Sequence, residues 1–219
     1  MHMKVSYHNK PFKLESLPVK EIHVIDDWMD HETWVWLNKY ITGLRRWGFN
    51  NSVVYKDGTV TETTWGMVFY SKFFEQPDPN DDYGKPIKQK VIDRLCDQFG
   101  IEWQQFDYCG MNGQTEKLQG TLHTDSFREK NISFLWFVNL SWDDEWGGAL
   151  RFYKQDALEE VKGFSEDIVD KYQVAKVDYK PNRLVIMDGR IPHSADAPIN
   201  STYNLRQTMV VRGNVAKIT

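Results

Sequence analysis

Apolar residues recur at spacings of three and four between residues 31 and 46. Trp34, Leu37, Tyr40, Ile41 and Leu44 fall on one stripe, which predicts an amphipathic helix over that span. Asp30, just before it, supplies an N-cap, and Gly48 suits its end. A second stripe of Ile87, Val91, Leu95 and Phe99 predicts a helix from Pro86 to Phe99, with Gly100 as its stop. Between the two, residues 64–71 (TTWGMVFY from residue 63 on) read as a strand, and the polar, Gly-containing stretch 49–62 as a loop or weak hairpin. The segment 76–85 is dense in Pro, Asp and Asn and reads as a loop. Ahead of the first helix, short apolar stretches admit strands at 3–7 and 20–25.

The period changes after Gly100. Short β runs alternate with turn residues near 103–111, 118–125, 132–140, 149–154, 173–179, 183–188, 193–197 and 204–212. The run from Phe134 to Leu140, FLWFVNL, is apolar on both faces, as an inner strand must be. The exception is 155–171, where Glu159, Glu160, Asp167 and Asp170 mark a polar, helical insertion. Two helices followed by a series of strands predict a mainly β (α+β) fold, a β-sandwich or jelly roll backed by N-terminal helices. The expected organisation is one domain over 1–219, with 1–100 as helical support and 101–219 as the jelly-roll core.

Composition narrows the class. A chain of 219 residues can bury a core without staples, and 41% hydrophobic with 26% charged residues argues against disorder. Twelve Phe, ten Tyr and nine Trp favour a β-rich interior of large side chains. A net charge of −4 makes nucleic acid a poor default partner, since phosphate contacts need a basic face. The two cysteines, Cys96 and Cys109, form neither a C-x-x-C motif nor a disulfide framework, which suits a reducing compartment. No apolar run approaches a membrane span, and Met1–Lys10 lacks an apolar signal core. The expectation is a soluble, cytoplasmic protein; Met1-His2-Met3 reads as a cloning remnant.

Six histidines stand at positions 2, 8, 23, 31, 123 and 193, and only the last two lie in the β-rich part. His123 belongs to His123-Thr-Asp125. On a strand, residues two apart share a face, so an imidazole and a carboxylate can meet one point. A third ligand from a distant strand would complete the two-His, one-carboxylate triad that holds non-haem Fe(II). H-x-D also arises by chance, so the competing reading is a histidine with a neighbouring carboxylate. Thirteen residues after His193 comes Arg206-Gln-Thr208, leading into the apolar run 209–211. An arginine anchored in a buried strand needs an anionic partner. A dicarboxylate such as 2-oxoglutarate would offer one end to iron and the other to Arg206, with Thr208 as a further donor. The competing partner is a protein carboxylate at the surface.

With these residues in view, the stretch from about Asp107 to Arg212 resembles the Fe(II)/2-oxoglutarate-dependent dioxygenases, in their prolyl-4-hydroxylase-like branch, including bacterial and phage forms. The resemblance is carried by His123-Thr-Asp125, FLWFVNLSW (134–142), Trp146-Gly-Gly-Ala-Leu-Arg-Phe-Tyr153, Pro192-His193-Ser and Arg206-x-Thr208. It covers about half the chain. It implies a double-stranded β-helix with Fe(II) on His123, Asp125 and His193, and 2-oxoglutarate on Arg206 with help from Thr208. It also implies O2 as oxidant, succinate and CO2 as co-products, hydroxylation of an unactivated C–H bond, and ascorbate as a reductant. Within the branch the substrate is a prolyl residue in a peptide or protein. The same chemistry on a free amino acid, another small molecule or an alkylated base is the alternative, and a non-catalytic jelly-roll binding module is the other.

Two positions depart from the branch. The tyrosine that commonly donates to 2-oxoglutarate, two residues before the asparagine, is Phe137 here. Tyr108, Asn112 or Thr208 are the candidates to replace its hydroxyl. Arg212, six residues after Arg206, stands where an aromatic is common, and is similar to an arginine of the nucleic-acid dealkylases of the superfamily. It is a candidate substrate contact; the other reading is a solvated strand end. Trp142 and Arg190 are further substrate candidates. Against them stand rim packing (for Trp136 and Trp146 as well) and a solvated arginine. Gly147-Gly148 precedes a strand rather than a helix and reads as a turn or bulge that brings backbone close to the site. Cys109 reads as a packed strand residue. His2, His8, His23 and His31 receive no role.

Overall fold

A computed structural model of the chain describes residues 3–9, 12–51, 64–71, 84–160, 166–200 and 205–219. Its elements run β1 (Val5–His8), β2 (Ile22–Ile25), α1 (His31–Gly43), β3 (Gly48–Asn51), β4 (Thr64–Ser71), α2 (Lys85–Ile87), a π-helical turn (Lys88–Ile92), α3 (Asp93–Phe99), β5 (Ile101–Gln114), β6 (Asn131–Phe137), a short 3₁₀ turn (Asp144–Trp146), β7 (Leu150–Tyr153), α4 (Ala157–Glu160), α5 (Glu166–Tyr172), β8 (Gln173–Val177), β9 (Leu184–Asp188), β10 (His193–Ala195) and β11 (Arg206–Ile218).

Helix α1 starts where the sequence places it. The Asp30 carboxylate accepts from the Thr33 amide at 2.9 Å, and Leu37 and Ile41 are fully buried. It ends at Gly43 rather than near Arg46, because the buried Leu44 already takes extended backbone, and Gly48 opens a strand instead of closing the helix. The α2–α3 run stops at Gly100, whose φ is +65°. A Cβ there would lie 2.0 Å from the Thr219 carbonyl oxygen, so only glycine fits the close pass of the C-terminal strand.

The strands form two sheets. The larger has the order β1-β2-β9-β6-β11-β5-β4-β3, and the smaller β10-β7-β8. Long β11 lies between β6 and β5 and is antiparallel to both. Strand β6 is buried along its whole length, as its two-faced apolar run requires. On one side Phe134 and Trp136 join Leu37, Ile41, Val91, Leu95 and Phe99 of the helices. On the other, Leu135 and Phe137 meet Leu150, Phe152 and Val177 of the smaller sheet. The architecture is therefore a two-sheet jelly roll with helices on the outer face of the larger sheet. The first hundred residues supply more than helical support, since β1–β2 and β4–β3 form both edges of the larger sheet.

One expected strand is absent. Over 118–125 the one β-bridge is His123 with His193, beside a single backbone bond from the Gly120 amide to the Ala195 carbonyl at 2.8 Å. Side chains take over the ladder's work before it: Gln114 Nε2 donates to the Leu118 and Ala195 carbonyls, and Gln119 Nε2 to Ala195. Conversely, β11 runs past residue 212 to Ile218, with irregular register from Arg212 onward. The helical character of 155–171 is seen in α4 and α5, while 161–165 lie outside the described residues, as do most of the loops expected at 49–62 and 76–85. Among the described residues, no helix is long and apolar enough to cross a membrane.

Candidate metal and 2-oxoglutarate site

His123 and His193 lock together through their backbones, each amide donating to the other's carbonyl at 3.0 and 2.9 Å. This two-residue bridge brings the loop at 123 onto the edge strand β10. His123 Nδ1 lies 2.8 Å from the Thr121 carbonyl and His193 Nδ1 2.9 Å from the Ile191 carbonyl. A carbonyl only accepts, so each Nδ1 carries the proton and each Nε2 lone pair is left to the cluster. The rings are 4.4 Å apart between centroids.

Asp125 completes the group. Its Oδ1 is 3.8 Å from His123 Nε2, and its Oδ2 is 3.8 Å from His193 Nε2. The three candidate ligand atoms lie within 4.8 Å of one another. Burial by itself would raise the Asp125 carboxyl, but Arg212 and the two imidazoles beside it hold it far below the usual carboxylate range. Burial, with His193 close by, pushes the His123 imidazole down to about 4. The donor set at neutral pH is thus a carboxylate with a neutral imidazole at His123. Oδ2 of Asp125 is buried and has no hydrogen-bond partner among the described residues.

Arg206 sits on β11 with only 2% of its surface exposed. Its Nε donates to the Gly148 carbonyl at 2.7 Å, and its Nη1 to Gln114 Oε1 at 2.9 Å and Thr208 Oγ1 at 2.8 Å. The guanidinium lies over the rings of Phe137 and Tyr179, 5.3 and 4.9 Å from their centroids. Burial pushes its pKa down to about 10, so it stays a cation at neutral pH. Every one of these partners is uncharged, and Nη2 is buried with no hydrogen-bond partner among the described residues. The cradle depends on Gly148, whose φ is +77°; a Cβ there would stand 3.0 Å from Arg206 Cδ. The turn read from Gly147-Gly148 does approach the site, through a carbonyl that the arginine uses.

Residues 110–210 match the model of the 2OG-Fe(II) oxygenase superfamily. That stretch, a little under half of the chain, is similar to the 2-oxoglutarate- and Fe(II)-dependent oxygenases of that superfamily. Its fold is similar to that of a Trichoplax adhaerens prolyl hydroxylase solved with a hypoxia inducible factor oxygen degradation domain peptide fragment. The two share 16% identity over 88% of this chain and 83% of that one, at a TM-score of 0.56. A Pseudomonas putida prolyl-4-hydroxylase aligns at 16% identity over 88% of this chain and 92% of its own, with a TM-score of 0.48. No curated protein matches the chain.

The residues present fit the groups that such an oxygenase uses. Two imidazoles and one carboxylate suit Fe(II), and the unpartnered Asp125 Oδ2 is the atom that a cation would satisfy. A buried arginine with a spare N–H and only neutral partners suits a ligand carboxylate. His123 and Asp125 come together without the strand expected beneath them, because the bridge to His193 pins one and Arg212 holds the other.

Other residues lie as follows. Phe137 stacks on Tyr179 at 4.5 Å, but the Tyr179 hydroxyl is spent on the Gln207 carbonyl and on Asn139 Oδ1. Tyr108 lies under the Arg212 guanidinium, and Asn112 stands opposite Thr208 in the β5–β11 register. Arg212 faces Asp125 rather than solvent. Arg190 is tied by two nitrogens to the buried Asp188. Trp142 donates to the Gly147 carbonyl and packs against Tyr179 at 4.6 Å, on the Arg206 side of the site. Trp136 is core, with its Nε1 on Asn182 Oδ1. Sequence reasoning missed Gln114 and Tyr179. Gln114 pairs with Arg206 in the β5–β11 register, so it becomes visible once that register is known; Tyr179 gives no local signal.

Proposed function

We propose that this chain is a 2-oxoglutarate-dependent oxygenase that holds Fe(II) on His123, Asp125 and His193, binds the distal carboxylate of 2-oxoglutarate on Arg206, and hydroxylates a prolyl residue in a peptide or protein. The single observation that carries the reading is the pair of buried polar atoms without a hydrogen-bond partner among the described residues, Asp125 Oδ2 and Arg206 Nη2, one anionic and one cationic, in the segment that matches the superfamily. When bound, Fe(II), 2-oxoglutarate and O2 supply the oxidising power for C–H hydroxylation, with succinate and CO2 as co-products.

The chain's own residues supply the rest. The Thr121 and Ile191 carbonyls fix the tautomer and the ring direction of the two imidazoles. Gln114, Thr208 and Gly148 aim the Arg206 fork, and Thr208 offers its hydroxyl as a second donor. Phe137 and Tyr179 wall the arginine in apolar surface, which excludes water and strengthens its hold on a carboxylate. A peptide substrate is supported by the peptide in the Trichoplax relative's complex, and Trp142 is the candidate wall for it. Two unpaired cysteines support a reducing, cytoplasmic setting, where ascorbate would serve as reductant.

The test is a panel of proline-containing peptides with Fe(II), 2-oxoglutarate and ascorbate, scored for succinate and for a gain of one oxygen by mass. The expected result is both products from the wild type and neither above background from His193→Ala. Succinate with oxidation of a free amino acid, or formaldehyde from an alkylated base, would replace the substrate while keeping the chemistry. A folded wild-type protein that binds zinc but ignores 2-oxoglutarate would return the chain to a binding module.

A further inference from the structure

Arg212 stands six residues beyond Arg206 on the same face of β11, and it is paired. Its Nη1 donates to Oδ1 of Asp125, whose side chain is only 4% exposed. The guanidinium is itself supported. It rests 5.1 Å from the centroid of the Tyr108 ring, and Tyr108 is its register partner on β5, as Ser133 is on β6. Asp125, by contrast, sits in a loop two residues past a single bridge. Left alone, such a carboxylate can rotate and present either oxygen, or both. Arg212 takes Oδ1 and leaves Oδ2 as the buried, unpartnered donor 3.8 Å from His193 Nε2.

We infer that Arg212 is a positioning residue, fixing the Asp125 carboxylate so that Oδ2 alone joins the Nε2 atoms of His123 and His193 in a three-point site. The inference rests on the proposed metal role of those three residues. Two effects oppose each other. A cation beside a divalent ion repels it, which weakens binding. A carboxylate held in one orientation binds without reorganising, and loss of such an outer partner typically weakens metal affinity about ten- to hundredfold. Because Tyr108 and the sheet hold Arg212 in place and Oδ2 stays free, orientation outweighs repulsion.

Co(II) titration of the metal-free protein, followed by visible absorption and calorimetry, decides it. The variants are His193→Ala, Arg212→Ala and Arg212→Lys, each checked by circular dichroism. Wild type should bind Co(II), and His193→Ala should not. Arg212→Ala should bind about ten- to hundredfold more weakly with altered d–d bands, and Arg212→Lys should fall between, keeping the charge but not the fork. Equal or tighter binding by folded Arg212→Ala, with unchanged bands, overturns the inference; tighter binding would mean that Arg212 competes with the ion for the carboxylate. If Arg212→Ala fails to fold, Arg212→Lys is judged by the same criterion. If wild type does not bind Co(II), or His193→Ala binds it equally well, the metal-site reading itself fails and takes the inference with it.

Discussion

Arg206 and Arg212 share one strand and one face, yet they solve the problem of a buried cation in opposite ways. Arg212 has a carboxylate of its own chain, Asp125. Arg206 is the more deeply buried, yet its partners are a backbone carbonyl, an amide oxygen and a hydroxyl. Neutral acceptors do not offset the loss of hydration of a full charge, and one buried N–H is left over. The difference separates a charge that meets a carboxylate of its own chain from one that meets only neutral acceptors. Under the proposed function, two arginines at this spacing take different roles: one aims a metal ligand, the other meets a co-substrate.

The sharpest way to break this comparison is Arg206→Met. If the arginine serves a ligand carboxylate, 2-oxoglutarate affinity of the Co(II)-loaded protein should fall by about 2–5 kcal/mol, thirtyfold or more. Stability should move by no more than about 2 kcal/mol, since removal of a desolvated charge offsets the acceptors it leaves unpaired. Parallel calorimetry and thermal melts check both. Retained affinity with a collapsed melting temperature would make Arg206 a structural residue and erase the contrast with Arg212.

A smaller effect is expected from Gly148→Ala. The new methyl must sit at φ +77° and 3.0 Å from Arg206 Cδ, which costs about 1–3 kcal/mol of strain and displaces the fork. Separate titrations should show weaker 2-oxoglutarate binding with Co(II) affinity unchanged. Equal weakening of both would show that the two halves of the site are not independent.

The smallest effect lies away from the site and keeps its pH response clean. His8 Nε2 and His23 Nδ1 are 3.0 Å apart on β1 and β2, near Glu21 and Lys4. Burial, then His8, holds the His23 imidazole below its ordinary value. The stability from keeping it neutral is present above its unfolded pKa of about 6.5 and is lost as pH falls below that. His23→Gln should flatten the acid side of a melting-temperature profile without changing Co(II) affinity at neutral pH. An unchanged profile would assign the acid loss to other groups.

Much of this was legible in the chain. The stripes of α1 and α3 and the cap at Asp30 are local, and local physics decides them. Strand β6 announced its burial because both faces of its sequence are apolar. His123 and Asp125 stood out as an imidazole and a carboxylate two residues apart, His193 as the other histidine of the β-rich part, and Arg206 with Thr208 as donors leading into an apolar run. The missing strand at 118–125 was not legible, since Gln114 and Gln119 replace ladder bonds with side-chain bonds to residues some eighty positions away. The edge role of β1–β4 was hidden for a related reason: pairing partners are chosen by register across the whole sheet.

The sequence by itself determined that Arg206, Thr208 and Arg212 would share one face of a strand, because alternation along a strand fixes the face of every residue on it. The tertiary structure alone decided which of them would be paired. That Arg212 meets Asp125 while Arg206 meets Gln114 and Gly148 depends on the β5–β11 register and on where two loops cross the sheet. Those distances are set by packing between segments far apart in sequence, and no local pattern encodes them.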